Sequence, residues 1–273
     1  MSFSVNTNAS AFVALQNLNS TNNQLGVVQN RINTGLAVAS AKDDGATFAI
    51  AQNLRSDLGG LSAVQSSLSR AQSTVDVGLS AAESISDLLV DLKEKAVAAS
   101  DAGLDDSSRS AISDDFNAIF SQISTIVQSA EFNGSNIIDG TGQISAILND
   151  TGTETFSVAA QNVSSSGGAA SLTASTITSA AGAASLVVEI ETAINSVNQS
   201  LSTLGAASRT LEAQQTFVTK LSDTIEAGIG NLVDADLAQE SAKLQSLQVK
   251  QQLGLQALSI ANQAPSAVLS LFR

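Results

Sequence analysis

The sequence predicts a mainly α-helical protein: a long coiled-coil-like helical rod with paired N- and C-terminal helices and a small β-hairpin. Three observations predict it. Apolar residues recur at steps of three and four over most of the chain. From Leu54 to Ala96 they hold a seam of about 3.5 residues per turn, the period of a coiled coil. Both ends lack acids, all 25 of which lie between Asp43 and Glu240.

In the first segment Ala11, Leu15, Leu18, Leu25, Val28 and Ile32 form one stripe, with Asn22 in a polar slot. In the last, Leu237, Leu244, Leu247, Leu255, Leu258 and Ala261 do the same around Gln251, and apolar residues continue through Val268 to Leu271 and Phe272. Each reads as an amphipathic helix. Two acid-free ends around a middle with seven bases and 25 acids suggest ends that sit together, away from water. The expected organisation is paired terminal helices at 1–42 and 232–273 and a helical rod domain at 43–231.

The long seam reads as one helix from about Gly45 to Ala99, stopped near "SDAGLDDSS". Asp106 or Ser107 is the expected cap of a second helix carrying Ile112, Phe116, Ile119, Ile123, Ile126 and Val127. Val197, Leu204, Leu211, Val218 and Ile225 recur every seven residues, the returning helix of the rod. Between them, Ile144, Ala146 and Leu148 alternate, "NDTG" supplies a turn, and Phe156 and Val158 alternate after it, which predicts a β-hairpin. A Ser/Thr-rich connection without charge follows, so that hairpin and connection together span about 137–180.

Composition excludes most chemistry. The 273 residues contain no His, Cys, Trp or Tyr, which removes the imidazole base, the thiolate and soft-ligand metal sites. The adjacent acids Asp43-Asp44, Asp105-Asp106 and Asp114-Asp115 point about 100° apart on a helix and read as solvated or capping residues. "DDGATFAIA" and "NDTGTETF" lack the alternating carboxylates of a calcium loop. No catalytic, cofactor or metal site is expected. A net charge of −13 argues against nucleic acid, and no apolar run is long enough to span a membrane. The first base is Arg31 and no apolar core region precedes it, so an ordinary cleaved secretory peptide is not expected.

Several stretches resemble bacterial flagellins, the subunits of the flagellar filament. "NTNAS" (Asn6 to Ser10) and "ASAKDDGATFAIA" (Ala39 to Ala51) are similar to the family's amino-terminal signature. "DADLAQES" (Asp234 to Ser241), "ANQAP" and "VLSL" are similar to its carboxy-terminal one, and "FNGSNIIDG" (Phe132 to Gly140) to the segment leading into its hairpin. The resemblance implies a structural subunit, not an enzyme, that is secreted and self-assembles into the extracellular filament used for swimming. It implies the terminal helices as the inner filament core and a short form without large outer domains. Its partners would be further copies of itself, the flagellar export apparatus, a flagellin chaperone, and junction and cap proteins, with no membrane insertion. The alternatives are a hook-filament junction protein of the same superfamily and a membrane-active secreted translocator.

The candidate self-assembly core is therefore Ala11, Leu15, Leu18, Leu25, Val28, Ile32, Leu237, Leu244, Leu247, Leu255, Leu258, Ala261, Val268 and Leu271. Because family members often carry surface sugars, O-linked glycosylation is expected among Ser164, Ser165, Ser166, Ser171, Thr173, Ser175, Thr176, Thr178 and Ser179.

Overall fold

A computed structural model describes residues 7–164 and 177–270, with side chains as far as Gln263. The described elements are α1 (Ala9–Thr34), α2 (Gly45–Ala99), α3 (Asp106–Ser129), β1 (Glu131–Phe132), β2 (Ser135–Asn136), β3 (Gln143–Ile147), β4 (Thr155–Ala159), α4 (Ala180–Val233) and α5 (Leu237–Ser270). They fall into two compact units, one drawn from Met1–Ser56 with Thr224–Arg273 and the other from Asp57–Asp223.

In the second unit the coiled-coil seam is the core. Leu61, Val64, Leu68, Ala71, Val75, Ala82, Ile85, Leu89, Leu92 and Ala96 of α2 are buried, as are Ile190, Val197, Leu204, Leu211 and Val218 of α4 and Phe116, Ile123 and Val127 of α3. Polar rungs flank the apolar seam between α2 and α4. Gln65 Nε2 donates to Thr219 Oγ1 at 3.0 Å, Gln215 Nε2 to Ser69 Oγ at 2.9 Å, and Gln72 Nε2 to Ser208 Oγ at 2.8 Å. Lys93 Nζ meets Glu191 Oε1 at 2.8 Å. The partners run in opposite directions along the sequence, so the helices are antiparallel and the rungs hold one register.

The cap of α3 is Asp105, one residue before the expected Asp106 or Ser107. Its side chain accepts from Ser108 N at 3.2 Å while its backbone stays extended, which satisfies one of the helix's unpaired first-turn donors. Asp106 instead supplies the favourable negative charge in the first turn. From α3 the buried guanidinium of Arg109 donates to the carbonyls of Ala99, Asp101 and Leu104, the latter two at 3.2 Å. It thus pairs the last carbonyl of α2 and ties it to the turn that leads into α3.

The expected hairpin is β3–β4, antiparallel, pairing Ile144 with Val158 and Ala146 with Phe156. Ala146 and Val158 are buried, and Ile147 N donates to the buried Ser67 Oγ of α2 at 3.1 Å. A second, smaller hairpin, β1–β2, turns on Asn133 and Gly134, whose φ angles of 51° and 78° suit the Asn-Gly pair.

The first unit is built on α1 and α5. Asn8 Oδ1 caps α1 by accepting from Ala11 N at 3.0 Å, and Gly35, in the left-handed region with φ 74°, ends it. Beyond Gly35, Ala37 N donates to Val233 O at 2.7 Å and Ala235 N to Gly35 O at 2.9 Å, knitting the two joints together. Beneath them lies a small core of Ala51, Ile229 and Val233, with Leu36, Val38, Leu54 and Ile225 packed against it. Asp44 opens α2 by accepting from Ala46 N and Thr47 N, and Asp236 opens α5 by accepting from Ala238 N and Gln239 N.

Candidate self-assembly surface

Helices α1 and α5 lie antiparallel, as three long-range links show. Asn8 Nδ2 donates to Ala261 O at 2.6 Å, Gln251 Nε2 to Asn22 Oδ1 at 2.8 Å, and Arg31 Nη1 stands 3.5 Å from Glu240 Oε1. The polar slots at Asn22 and Gln251, which interrupt the two stripes, therefore meet each other. Between them Leu18 is buried against Gly254, where a Cβ would come within 3.2 Å of Leu18 Cδ1. Glycine here lets the backbones approach closely.

The candidate residues divide by face. Leu18, Val28 and Leu247 are buried, and Ala11, Leu25, Ile32, Leu244, Leu258 and Ala261 are half-buried. Leu15, Leu237 and Leu255 are exposed. Leu271 and the side chain of Val268 lie outside the described residues. The stripes alone do not name Phe12, Val13 and Val27 of α1, or Val249, Leu253 and Ile260 of α5, which are also exposed, Phe12 by 64% and Ile260 by 70%. Their signal in the sequence is that apolar residues stand outside the stripes too, scattered among the Asn, Gln and Ser of both helices, so that more than one side has apolar surface to cover.

One charge is sequestered in this pair. Glu240 is buried, and its Oε1 receives Lys243 Nζ at 2.8 Å together with Arg31. Its Oε2 has no hydrogen-bond partner among the described residues. The other carboxylates do local work. Asp43 Oδ2 accepts from the Ser40 hydroxyl and from the Ser40 and Ala39 amides, which holds its carboxyl below the usual range. Asp44 is lowered by Thr47, and Asp105 by Ser108. Asp115 pairs with Lys95 at 2.9 Å and raises the amine. Among the described residues no group of three or more carboxylates could hold a metal ion, and no helix is long and apolar enough to cross a membrane.

Of the nine hydroxyls considered for glycosylation, Ser165, Ser166, Ser171, Thr173, Ser175 and Thr176 lie outside the described residues. Ser164 is half-buried and donates to Asn162 Oδ1 at 2.7 Å, whereas Thr178 and Ser179 are exposed.

The two terminal helices thus pair with each other and still present apolar side chains outward. Comparison with known families matches the same two ends: residues 5–143 fit the bacterial flagellin N-terminal helical region and residues 187–272 the bacterial flagellin C-terminal helical region. The chain belongs to the bacterial flagellin family. Among similar flagellins, FljK of Caulobacter vibrioides is 51% identical over 271 residues, covering 99% of this chain and 98% of the relative. FljM of the same organism is 50% identical over 270 residues with the same coverage, and a flagellin of Brucella melitensis is 38% identical over 284 residues, covering 99% of each chain. Two solved structures share the fold. Bacillus cereus flagellin has a TM-score of 0.51 at 22% identity, over 56% of this chain and 88% of that one. A putative flagellar hook-associated protein from Vibrio parahaemolyticus has a TM-score of 0.56 at 13% identity, over 70% and 100%.

As a flagellin the chain is a structural subunit that self-polymerises into the extracellular flagellar filament. The junction-protein and translocator alternatives are not favoured. The length shared with the Caulobacter flagellins fits a short form of the subunit.

Proposed function

We propose that the paired terminal helices α1 and α5 are the element through which this flagellin polymerises and that they form the inner core of the filament. The observation that carries this reading is the apolar surface left over after the two helices have packed together, represented by Phe12, Val13 and Val27 on one and Val249, Leu253 and Ile260 on the other. Full burial of one such side chain is worth about 1.5–3 kcal/mol, so a few of them covered by neighbouring copies outweigh the ordering of long side chains. Burying them on other copies in a head-to-tail contact that does not close gives an open helical polymer.

In this reading the rest of the protein is scaffold, without catalytic or cofactor chemistry. The subunit leaves the cell through the flagellar export apparatus, held by a flagellin chaperone beforehand and placed by cap and junction proteins afterwards. The exposed Thr178 and Ser179 are the described hydroxyls best placed for O-linked sugars; an intact mass of native protein equal to that of the bare chain removes that assignment.

Deleting Ser241 to Arg273 tests the core of the reading. It removes most of α5, so polymerisation after seeding or salting out is lost, while circular dichroism still reports the melting of the helices between Asp57 and Asp223. A truncated chain that still forms filaments overturns it.

A further inference from the structure

Beside the line where α1 meets α5 an open groove of about 460 Å³ has an apolar floor of Val27, Val28 and Leu247 and a rim of Arg31, Lys243 and Lys250. Three of the chain's 12 bases thus gather in the pair of helices that is poorest in acid. Arg31 and Lys243 share a single oxygen of Glu240, and Lys250 makes no ion pair among the described residues. The groove therefore carries two positive charges in excess, in a chain whose net charge is −13.

Polymerisation makes this surplus a problem that has to be solved at every repeat. Each copy brings the same cations and, on α1 and α5, only the one acid that is already committed. Like charges brought together and partly dried repel one another, and a desolvated cation without a partner is costly. An acidic segment removes both difficulties, and the aliphatic floor asks that it carry an apolar side chain as well.

We propose that the groove seats an acidic stretch of a second copy of this chain, so that subunits are joined by lysine–carboxylate pairs over an apolar contact. This rests on polymerisation through α1 and α5 as proposed above. The turn into α5 has the required chemistry: Asp234 and Asp236 are exposed, and Leu237 beside them is 49% exposed. In the filament Lys243 and Lys250 then lie within bonding distance of carboxylates from another chain. The contact weakens as salt screens it.

The test uses full-length protein polymerised from an equal mixture of unlabelled and nitrogen-15 chains and treated with a carbodiimide, which condenses an amine with a carboxylate in direct contact. The expected result is a cross-link from Lys250 or Lys243 to an Asp or Glu in peptide pairs of mixed isotope, which prove that two copies are joined. Links confined to single-isotope pairs, such as Lys243 to its own Glu240, or no link at either lysine, overturn the proposal although filaments formed. Failure of the chains to form any filament would instead sink the polymerisation reading, and this one with it. As a second measurement, Lys250→Glu raises the critical concentration for assembly at low salt about tenfold and leaves the monomer's helix content unchanged. An unaltered critical concentration counts against the groove as a contact.

Discussion

Ile137 fills a notch in α2 that exists because residue 78 is glycine: a Cβ at Gly78 would fall on the Ile137 Cγ2 methyl. Both Ile137 and its neighbour Ile138 are fully buried, so the notch anchors the segment that leads into the β3–β4 hairpin. The turn of that hairpin meets α2 the same way, with Asp150 against Gly60.

A pair of substitutions in the same helix separates this packing from helix propensity. Gly59→Ala, where nothing lies within 4 Å of the new methyl, stabilises the protein by up to about 1 kcal/mol because alanine is the better helix former. Gly78→Ala gains the same propensity but displaces Ile137, and overpacking of this kind costs about 1–3 kcal/mol. Urea unfolding of the two variants should shift the midpoint in opposite directions. Parallel shifts would mean that Ile137 moves aside freely.

Arg109 is the residue whose loss should harm the helical unit from Asp57 to Asp223 most for its size. Arg109→Ala strips donors from the last carbonyl of α2 and from two carbonyls of the turn into α3, a loss on the order of 2–4 kcal/mol given that charged hydrogen bonds are worth about 1.5–3 kcal/mol. Arg109→Lys restores only part, since an ammonium cannot reproduce the planar fork. Thermal melting by circular dichroism orders the three as wild type, lysine, alanine.

Acid should loosen the caps before it touches the apolar seams. Asp43, Asp44 and Asp105 have folded carboxyls held below the ordinary value by hydrogen bonds from Ser40, Thr47 and Ser108. A depressed folded pKa contributes stability that is fully present above the unfolded value of about 3.9 and disappears as pH falls through the folded value. Stability measured by urea titration is therefore flat in these groups above about pH 5 and drops below about pH 4. In Asp105→Asn, which keeps a capping side chain but does not titrate, the drop is smaller. An equal drop would place the acid sensitivity elsewhere.

The exposed face of α5 gives the cleanest test of assembly. Leu258 is half-buried, so Leu258→Asp costs the monomer some stability as well as blocking polymerisation at neutral pH. Leu253 is 58% exposed, and Leu253→Asp leaves the monomer's melting within about 0.5 kcal/mol, as surface changes usually do. It nonetheless abolishes filaments at pH 7, because a carboxylate dried without a partner costs several kcal/mol or protonates. Normal filaments from Leu253→Asp would show that this face stays wet.

The seam of α2 was legible because a seven-residue repeat has one meaning over forty residues: Val64, Leu68, Ala71 and Val75 leave no other face to bury. The hairpin was equally plain from its period of two. In α1 and α5 one stripe holds both Leu18, Val28 and Leu247, which are buried within the subunit, and Leu15 and Leu255, which are exposed. Helices apolar on several sides have no single stripe to read, and a sequence does not say which side its own partner takes. Arg109 and Glu240 carry no such signal, for another reason. Their role depends on carbonyls and cations supplied by other elements, and nothing in their local sequence marks them as buried.

The amide of Asn8 reaches the carbonyl of Ala261 across a sequence separation of 253 residues. In equilibrium terms this distance is cheap, since each doubling of a flexible loop adds only about 0.6 kcal/mol. In time it is not, because contacts between remote parts of a chain form late. Whichever end of the polypeptide appears first, α1 has no α5 to lie on until the whole chain has followed. On the proposed polymerisation through α1 and α5, the pairing of the two ends would act as a completeness check: a chain cut short anywhere before Leu237 lacks α5, and with it the surface proposed to join the growing polymer.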